Sequence, residues 1–349
     1  MAKQRKVTAG ELFTFPAGPD GWGACQALAV SGRQVEVLCL DHRSDAQPTR
    51  ETVCLQPLVR ERYAYQGTPA QHFVVDALPD DFVSLGVAPP VLPPTKTQVY
   101  AFWGGLRREA VQEHRWRRLP QGVRDAYKAA RPAAKVTLPL ADGPYTVTEA
   151  QASLRLAFGP APSPEPGWLW AGDGTRFDWS CLDALPRLAH LGVSGEAPGA
   201  LPWVASHPLV QSLTWWGAGD TLDLSCLDLV HLELGQPSPA RVVLPPGLRS
   251  LQLALDAARP VTVVAAGDGA GLSLTAHLRD AADLAALRGL DAVPELFLQS
   301  LVSLDLRTLA RFTSLRALLL GGGAGRVAHS VALAAHRGLR SLHAQACVS

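Results

Sequence analysis

The side chains with the greatest chemical capacity in this sequence are histidines, acidic residues and cysteines. His190, His231 and Glu233 recur at a spacing that could bring them onto neighbouring strands. Two imidazoles and one carboxylate there could form a weak metal site. Surface histidines on a binding face are the favoured interpretation of the same residues. We therefore predict no metal, no cofactor and no catalytic residue.

Motifs of enzymatic chemistry are absent from the sequence. It contains no G-x-S-x-G elbow, no G-x-x-x-x-G-K-[ST] phosphate loop and no H-E-x-x-H metal motif. The glycine-rich run at 321–325 is followed by Arg326 and Val327 instead of the Lys and Ser/Thr of a phosphate loop. The six cysteines have no C-x-x-C or zinc spacing, and we interpret them as reduced core residues. The chain is predicted not to be an enzyme.

Composition and charge restrict the classes of partner. The 349 residues are 47% hydrophobic and 18% charged, which is typical of a folded chain, and the net charge is +1. Nothing in that balance indicates nucleic acid or a membrane surface as a partner. Because no apolar stretch approaches 18 residues and no leader pattern opens the sequence, the expected location is the cytoplasm.

One repeated pattern must position the candidate residues. It reads L-x-x-L-x-L with apolar replacements, and its eight central residues are separated by 19 (213 to 232) to 24 (272 to 296) positions. Apolar residues at i and i+2 share one face of a strand, and a return near 20 residues is typical of a repeat array. The pattern resembles that of leucine-rich repeat proteins. We therefore expect a solenoid of about eight irregular repeats.

Residues between the apolar positions of each strand would face solvent on the concave side of such a solenoid. Exposed aromatic residues surrounded by polar ones are typical of protein-binding surfaces. An alternative is that some members, Trp216 above all, lie under a loop as ordinary core. The predicted partner-binding residues are His190, Trp216, His231, Glu233, Gln252, Thr275, Glu295, Phe297, Gln299, Leu319, His343 and Gln345.

The first hundred residues have the pattern of short strands separated by turns, which favours a small barrel or curled sheet. The motifs G-E-L-F-x-F-P at 10–16, W-G at 22–23, L-P-x-D-F-x-x-L-G at 78–86 and F-W-G at 102–104 resemble an all-β immunity domain of bacterial polymorphic-toxin systems. That resemblance implies a domain that binds a cognate toxin and performs no chemistry itself. The alternative is an unrelated SH3-like barrel.

A basic stretch follows, with helices expected at 105–118 and 121–131, and with Pro120 between them. It could contact an acidic partner or a phosphate backbone. A solvated helical hairpin between two domains is favoured, because the surplus of positive charge is local. The residues of the possible basic patch are Arg107, Arg108, Arg115, Arg117, Arg118, Arg124, Lys128 and Arg131.

Together these patterns predict an α+β chain with repeats. Its expected parts are a β-barrel-like immunity domain at 1–104, a basic helical connector at 105–134, a β cap at 135–179 and leucine-rich repeats at 180–349. The predicted function is protein recognition, in the form of an immunity protein that neutralises a bacterial toxin through the concave face, the N-terminal domain or both. The alternatives are a nucleic-acid-linked regulator or defence component that uses residues 107–131, and a scaffold protein.

Overall fold

A computed structural model of the chain describes residues 6–17, 21–62, 67–75, 77–79, 81–97, 99–161, 166–217, 219–280, 282–300, 304–321 and 327–344. The chain divides into two compact units, Met1–Arg124 and Asp125–Ser349.

The first unit is built on a five-stranded antiparallel sheet with the strand order β6-β3-β2-β1-β7, and β4 and β5 form a separate pair. Its strands are β1 (Glu11–Pro16), β2 (Trp22–Ser31), β3 (Gln34–Ser44), β4 (Val59–Arg60), β5 (Thr68–Pro69), β6 (Gln71–Val74) and β7 (Val83–Val87). Both faces of this sheet are buried. Helix α1 (Trp103–Arg118) covers one face with Trp103, Leu106 and Ala110, at the i, i+3, i+7 spacing of an amphipathic helix. Helix α2 (Gln121–Ala129) follows it.

The motifs at the two ends of this unit meet in one aromatic cluster. Phe13 lies 5.8 Å from Trp103 between ring centroids, Phe82 lies 5.4 Å from Trp103, and Phe15 lies 5.0 Å from Phe82. All four rings are almost fully buried. Tilted and edge-to-face ring pairs of this kind stabilise a core beyond the area that they bury.

The second unit contains a ten-stranded sheet in the order β11-β10-β12-β13-β15-β17-β19-β21-β23-β25, in which every neighbouring pair of strands is parallel. A smaller parallel sheet has the order β14-β16-β18-β20, and β8 with β9 and β22 with β24 form two pairs. The strands are β8 (Lys135–Leu140), β9 (Gly143–Thr148), β10 (Ser153–Phe158), β11 (Leu169–Gly172), β12 (His190–Ser194), β13 (Ser212–Trp216), β14 (Thr221–Asp223), β15 (His231–Leu234), β16 (Arg241–Val243), β17 (Ser250–Ala254), β18 (Val261–Val264), β19 (Ser273–Leu278), β20 (Leu287–Arg288), β21 (Glu295–Ser300), β22 (Leu304–Asp305), β23 (Ala317–Gly321), β24 (Val327–Ala328) and β25 (Ser341–Ala344). Short helices connect some of them: α3 (Ala200–Ser206) and 3-10 turns at Trp179–Ala184, Ala266–Gly269, Asp283–Ala286, Leu306–Arg311 and Ser330–Ala335.

The hydrophobic core of the second unit lies between its two parallel sheets. Leu213, Leu232 and Leu251 pair in register across β13, β15 and β17, and none of the three is exposed. Val242 and Val263 from the smaller sheet belong to the same buried cluster. Most L-x-x-L-x-L copies therefore supply one strand whose i and i+2 side chains enter this core, whereas Leu342 of the last copy is exposed.

Three similar segments of the sequence, F-D-W-S-C-L-D at 177–183, L-D-L-S-C-L-D at 222–228 and L-D-L-R-T-L-A at 304–310, share one hydrogen-bonded turn. Asp178, Asp223 and Asp305 each accept a bond from the backbone N–H two residues later, at 3.1, 2.9 and 2.9 Å. A short acidic side chain that bonds to its own backbone in this way favours a turn over a continuing strand. The repeated Asp is therefore explained by the turn that follows it.

The predicted fold class is wrong. The α+β class with a barrel-like domain, a connector and a leucine-rich solenoid is overturned by a chain of mostly strands and few helices. Its ten-stranded parallel sheet indicates an α/β fold, and the described strands of the first unit form an open sheet. The physical reason is that apolar residues at i and i+2, returning about every 20 residues, suit any row of parallel strands with one buried face. The period therefore does not define the overall class.

Two local patterns of the sequence also predict the wrong element. The short-strand spacing of the first unit predicts a strand at 52–59, and the apolar residues at 284, 287 and 290 predict a helix at 278–290. The structure instead has a two-residue strand at Val59–Arg60 and a single 3-10 turn at Asp283–Ala286. The buried Asp283 carboxylate accepts hydrogen bonds from the backbone N–H groups of Arg279 and Ala257, with N···O distances of 2.6 and 2.7 Å. These bonds hold a compact loop where apolar spacing alone favoured a helix.

Candidate functional site

The candidate site is the outward face of the ten-stranded sheet, opposite the leucine core. Strand register aligns Thr214, Glu233, Gln252 and Thr275 across four successive strands. Thr214 is buried, whereas the other three are half-buried. Parallel sheets usually carry apolar residues on both faces, because both faces are covered. A polar, partly exposed face on such a sheet is therefore an unusual surface.

The register places the predicted partner-binding residues in three rows across this face, apart from Gln345, which lies outside the described residues. The first row holds His190, His231 and Glu295, the second holds Glu233, Gln252, Thr275, Phe297, Leu319 and His343, and the third holds Trp216 and Gln299. The expectation that His190 and His231 could lie on adjacent strands is wrong, because β13 separates their strands.

A hydrogen-bonded chain joins three strands at the first part of the face. The Thr214 hydroxyl donates to Glu233 Oε2 at 3.0 Å and lies 2.9 Å from His190 Nε2. Because a hydroxyl has one hydrogen to donate, His190 Nε2 must donate to Thr214. Burial lowers the pKa of His190 and the charge of Arg155 lowers it further, although Glu233 opposes both. These effects favour a neutral imidazole with its proton on Nε2.

The second histidine has its own partner. His231 Nδ1 lies 3.0 Å from Ser250 Oγ, and burial lowers the pKa of His231, with Glu233 opposing. Within the described part of the chain, no group of three or more His, Cys, Asp and Glu side chains is placed to hold a metal ion. The two histidines therefore act as neutral members of a hydrogen-bonded surface.

Two tryptophans contact each other at the same face, with their rings tilted by 47°. The ring of Trp216 is half-buried and its centroid is 5.1 Å from that of Trp168. A Cβ at Gly235 would lie 2.3 Å from Trp216 Nε1, so the indole rests directly on this glycine. Arg155 stacks over Trp168, with its Cζ 5.8 Å from the ring centroid. The sequence prediction missed Trp168 and Arg155, although Arg155 lies on an outward position of a strand.

The far end of the face is more apolar. Phe297 and Leu319 are half-buried neighbours on β21 and β23. The ring of Phe297 packs against Gly321, because a Cβ added to this glycine would lie 2.8 Å from the ring. Glu295 and His343 flank them as exposed polar residues. This end therefore has apolar groups at its centre and polar groups at its margin.

Two cavities adjoin Trp216. One has a volume of about 720 Å³, and its lining residues include Glu196, Trp215 and Pro237. The other has a volume of about 400 Å³ and is lined by Glu233, Gln252 and His277, among others. His277 occupies an outward position of β19 and was also missed from sequence, since its strand carries the most degenerate copy of the repeated pattern.

The possible basic patch is placed mostly in the first unit, where several of its charges are paired. Arg107 bonds to Asp81 at 2.7 Å and Arg117 to Asp41 at 2.7 Å. Further ion pairs join Arg124 to Glu61 and Arg131 to Glu149. Arg115 is buried. The exposed members of the patch are Arg108, Arg118 and Lys128. Charges that are held by neighbouring carboxylates contribute less to the binding of a phosphate backbone.

A buried polar network in the first unit was also not predicted. The Glu109 carboxylate of α1 bonds to Arg60 Nε on β4 and to His72 Nε2 on β6. Burial raises the pKa of Glu109, but the bonds from His72 and Arg60 outweigh it and leave that pKa below its ordinary value. The network joins α1 to β4 and β6.

Comparison with known proteins adds no family assignment: no protein-family model, curated protein or solved structure matches this chain. Among the described residues, no helix has the length and apolar character required to cross a membrane.

Proposed function

We propose that this chain is a non-enzymatic protein-recognition protein whose outward sheet face binds a partner. One observation carries the proposal: a ten-stranded parallel sheet leaves one face partly exposed, with aromatic groups among polar ones. Trp216 and Phe297 supply the large, rigid anchors that carry most of the binding energy in protein interfaces. Polar groups such as Glu233 and Gln252 surround them, as in the rim of such an interface.

The partner that we propose is a bacterial toxin, which the chain would neutralise as an immunity protein. Support for this comes from the motifs of the first unit, whose resemblance to immunity domains implies toxin binding. Phe13, Phe82 and Trp103 of those motifs pack together in one core.

The experiment measures binding to the product of a toxin gene beside the coding sequence, with rescue of growth as a second readout. Replacing Trp216, Glu233, Phe297 and His343 together by alanine should weaken binding at least about 30-fold, because loss of a single interface anchor costs about 2 kcal/mol or more. Arg241→Ala and Arg288→Ala on the smaller sheet are the matched controls, since both residues are exposed. Unchanged affinity of the fourfold variant would move the binding surface away from this face.

The nucleic-acid alternative has less support, because Arg107 and Arg117 are held by Asp81 and Asp41. Binding to DNA or RNA that is strongly salt-dependent and lost on removing Arg115, Arg117 and Arg118 would favour it instead.

A further inference from the structure

The larger cavity beside Trp216 is a cleft at the carboxyl ends of β12 and β13. Its lining begins at Ser194, where β12 ends, and includes Trp216, where β13 ends. With a volume of about 720 Å³, the cleft has the size of a typical binding pocket.

The walls of this cleft are mainly apolar and aromatic. Leu201 and Pro237 provide aliphatic surface, and the indoles of Trp215 and Trp216 provide aromatic surface. Gly217 leaves room for one of the indoles, since a Cβ there would lie 2.9 Å from Trp215 Nε1. A ligand in the cleft would therefore contact both aliphatic and aromatic groups.

Glu196 gives the cleft its charge. Among the described residues that line it, Glu196 is the one ionisable side chain, and it is exposed. No ion pair of Glu196 is found within the described chain. An anionic ligand would meet this carboxylate without a cation to offset it, and a purely aliphatic ligand would remove it from water without a partner.

We propose that the cleft receives a lysine or arginine side chain of a bound protein. The aliphatic stem of such a residue would cover Leu201 and Pro237, as long basic side chains do on apolar surfaces. Its charged head would meet the indole of Trp215 or Trp216 by cation–π contact and pair with Glu196. This rests on the proposed function, because the bound protein supplies the side chain.

The test uses small probes in place of the partner. Chain labelled with ¹⁵N at the tryptophan indoles is titrated with N-acetyl-arginine amide and N-acetyl-lysine amide, and with the matching norleucine and glutamate compounds. The basic probes should shift the Trp215 and Trp216 indole signals saturably, with a Kd on the order of 1–10 mM for so small a ligand. The Trp103 signal of the first unit should not move. A stronger response to arginine would identify guanidinium as the preferred head group, and an equal response would identify positive charge alone.

Variants show whether the carboxylate takes part. Glu196→Gln should weaken binding of the basic probes about threefold to fivefold, as expected for a solvent-exposed ion pair. Glu51→Gln is the matched control, because Glu51 is an exposed carboxylate of the first unit and does not line the cleft. Equal shifts with norleucine, no saturable shift with either basic probe, or no effect of Glu196→Gln would each overturn the proposal.

The outcome is distinguishable from that of the proposed function. Binding of N-acetyl-arginine amide without any binding of the toxin would support the cleft and reject the toxin as the partner. Equal toxin binding by the native chain and the Glu196→Gln variant would reject the cleft and leave protein recognition standing.

Discussion

Replacing Thr214 by valine tests the hydrogen-bonded chain on the outward face of the sheet. The Thr214 side chain is fully buried, and its hydroxyl bonds to His190 and Glu233 at 2.9 and 3.0 Å. Valine has nearly the same shape, so the substitution leaves no cavity but leaves both partners without their bond. An unpaired buried polar group costs about 1–3 kcal/mol, and both partners here are half-buried and partly resolvated. We therefore expect a loss of about 1–2 kcal/mol in the free energy of unfolding.

The assay is urea unfolding of the full chain, followed by tryptophan fluorescence. The signal reports mainly the second unit, which contains six of the nine tryptophans: Trp168, Trp170, Trp179, Trp203, Trp215 and Trp216. Thr275→Val is the matched control, because Thr275 lies in the same row and no hydrogen bond of its hydroxyl is found among the described residues. The control should change the unfolding free energy by no more than about 0.5 kcal/mol. If Thr214→Val changes it as little as the control, the network contributes nothing to stability and the reasoning is refuted.

Three further predictions concern other contacts. Gly235→Ala should push Trp216 off the sheet, because the new Cβ would lie 2.3 Å from the indole nitrogen. Acrylamide should then quench the fluorescence more strongly, whereas Gly271→Ala, which has open space around it, should leave quenching unchanged. Burial lowers the pKa of His190 below its unfolded value of about 6.5, so the unfolded chain takes up the proton first as the pH falls. The stability of the native chain should therefore decline as the pH falls through about 6.5, and His190→Gln should reduce that decline in urea unfolding; an identical decline would contradict it. Glu109→Ala should cost about 2–4 kcal/mol in thermal unfolding, because it deprives the buried Arg60 of its carboxylate, and Glu109→Gln should cost less. Equal stabilities of native and alanine chains would show that this ion pair is not needed.

The positions of many strands in the second unit could be predicted from sequence, and the class of the fold could not. The i, i+2 spacing of apolar residues predicts strands at Leu191, Leu213 and Leu232, and the three leucines pair in register across β12, β13 and β15. The pattern records which face of each strand is buried. It contains no information on what covers that face, and the smaller sheet with Val242 and Val263 covers part of it.

The candidate site was predicted in part. Outward positions such as Glu233 and Phe297 follow from alternation along each strand, so their row on the face could be predicted. Trp168 precedes its strand by one residue and reaches the face through its contact with Trp216, which no local pattern indicates. The pairing of Arg117 with Asp41, far apart in sequence, also depends on the tertiary fold.

A footprint of the complex tests the central claim most directly. Hydroxyl-radical labelling of the chain, with and without the proposed toxin partner, measures the accessibility of side chains by mass spectrometry. Protein recognition by the outward face predicts protection of Trp216, Phe297 and Leu319, with Val264 on the smaller sheet unchanged. Protection confined to the first unit, with those three residues labelled equally in both samples, would contradict it.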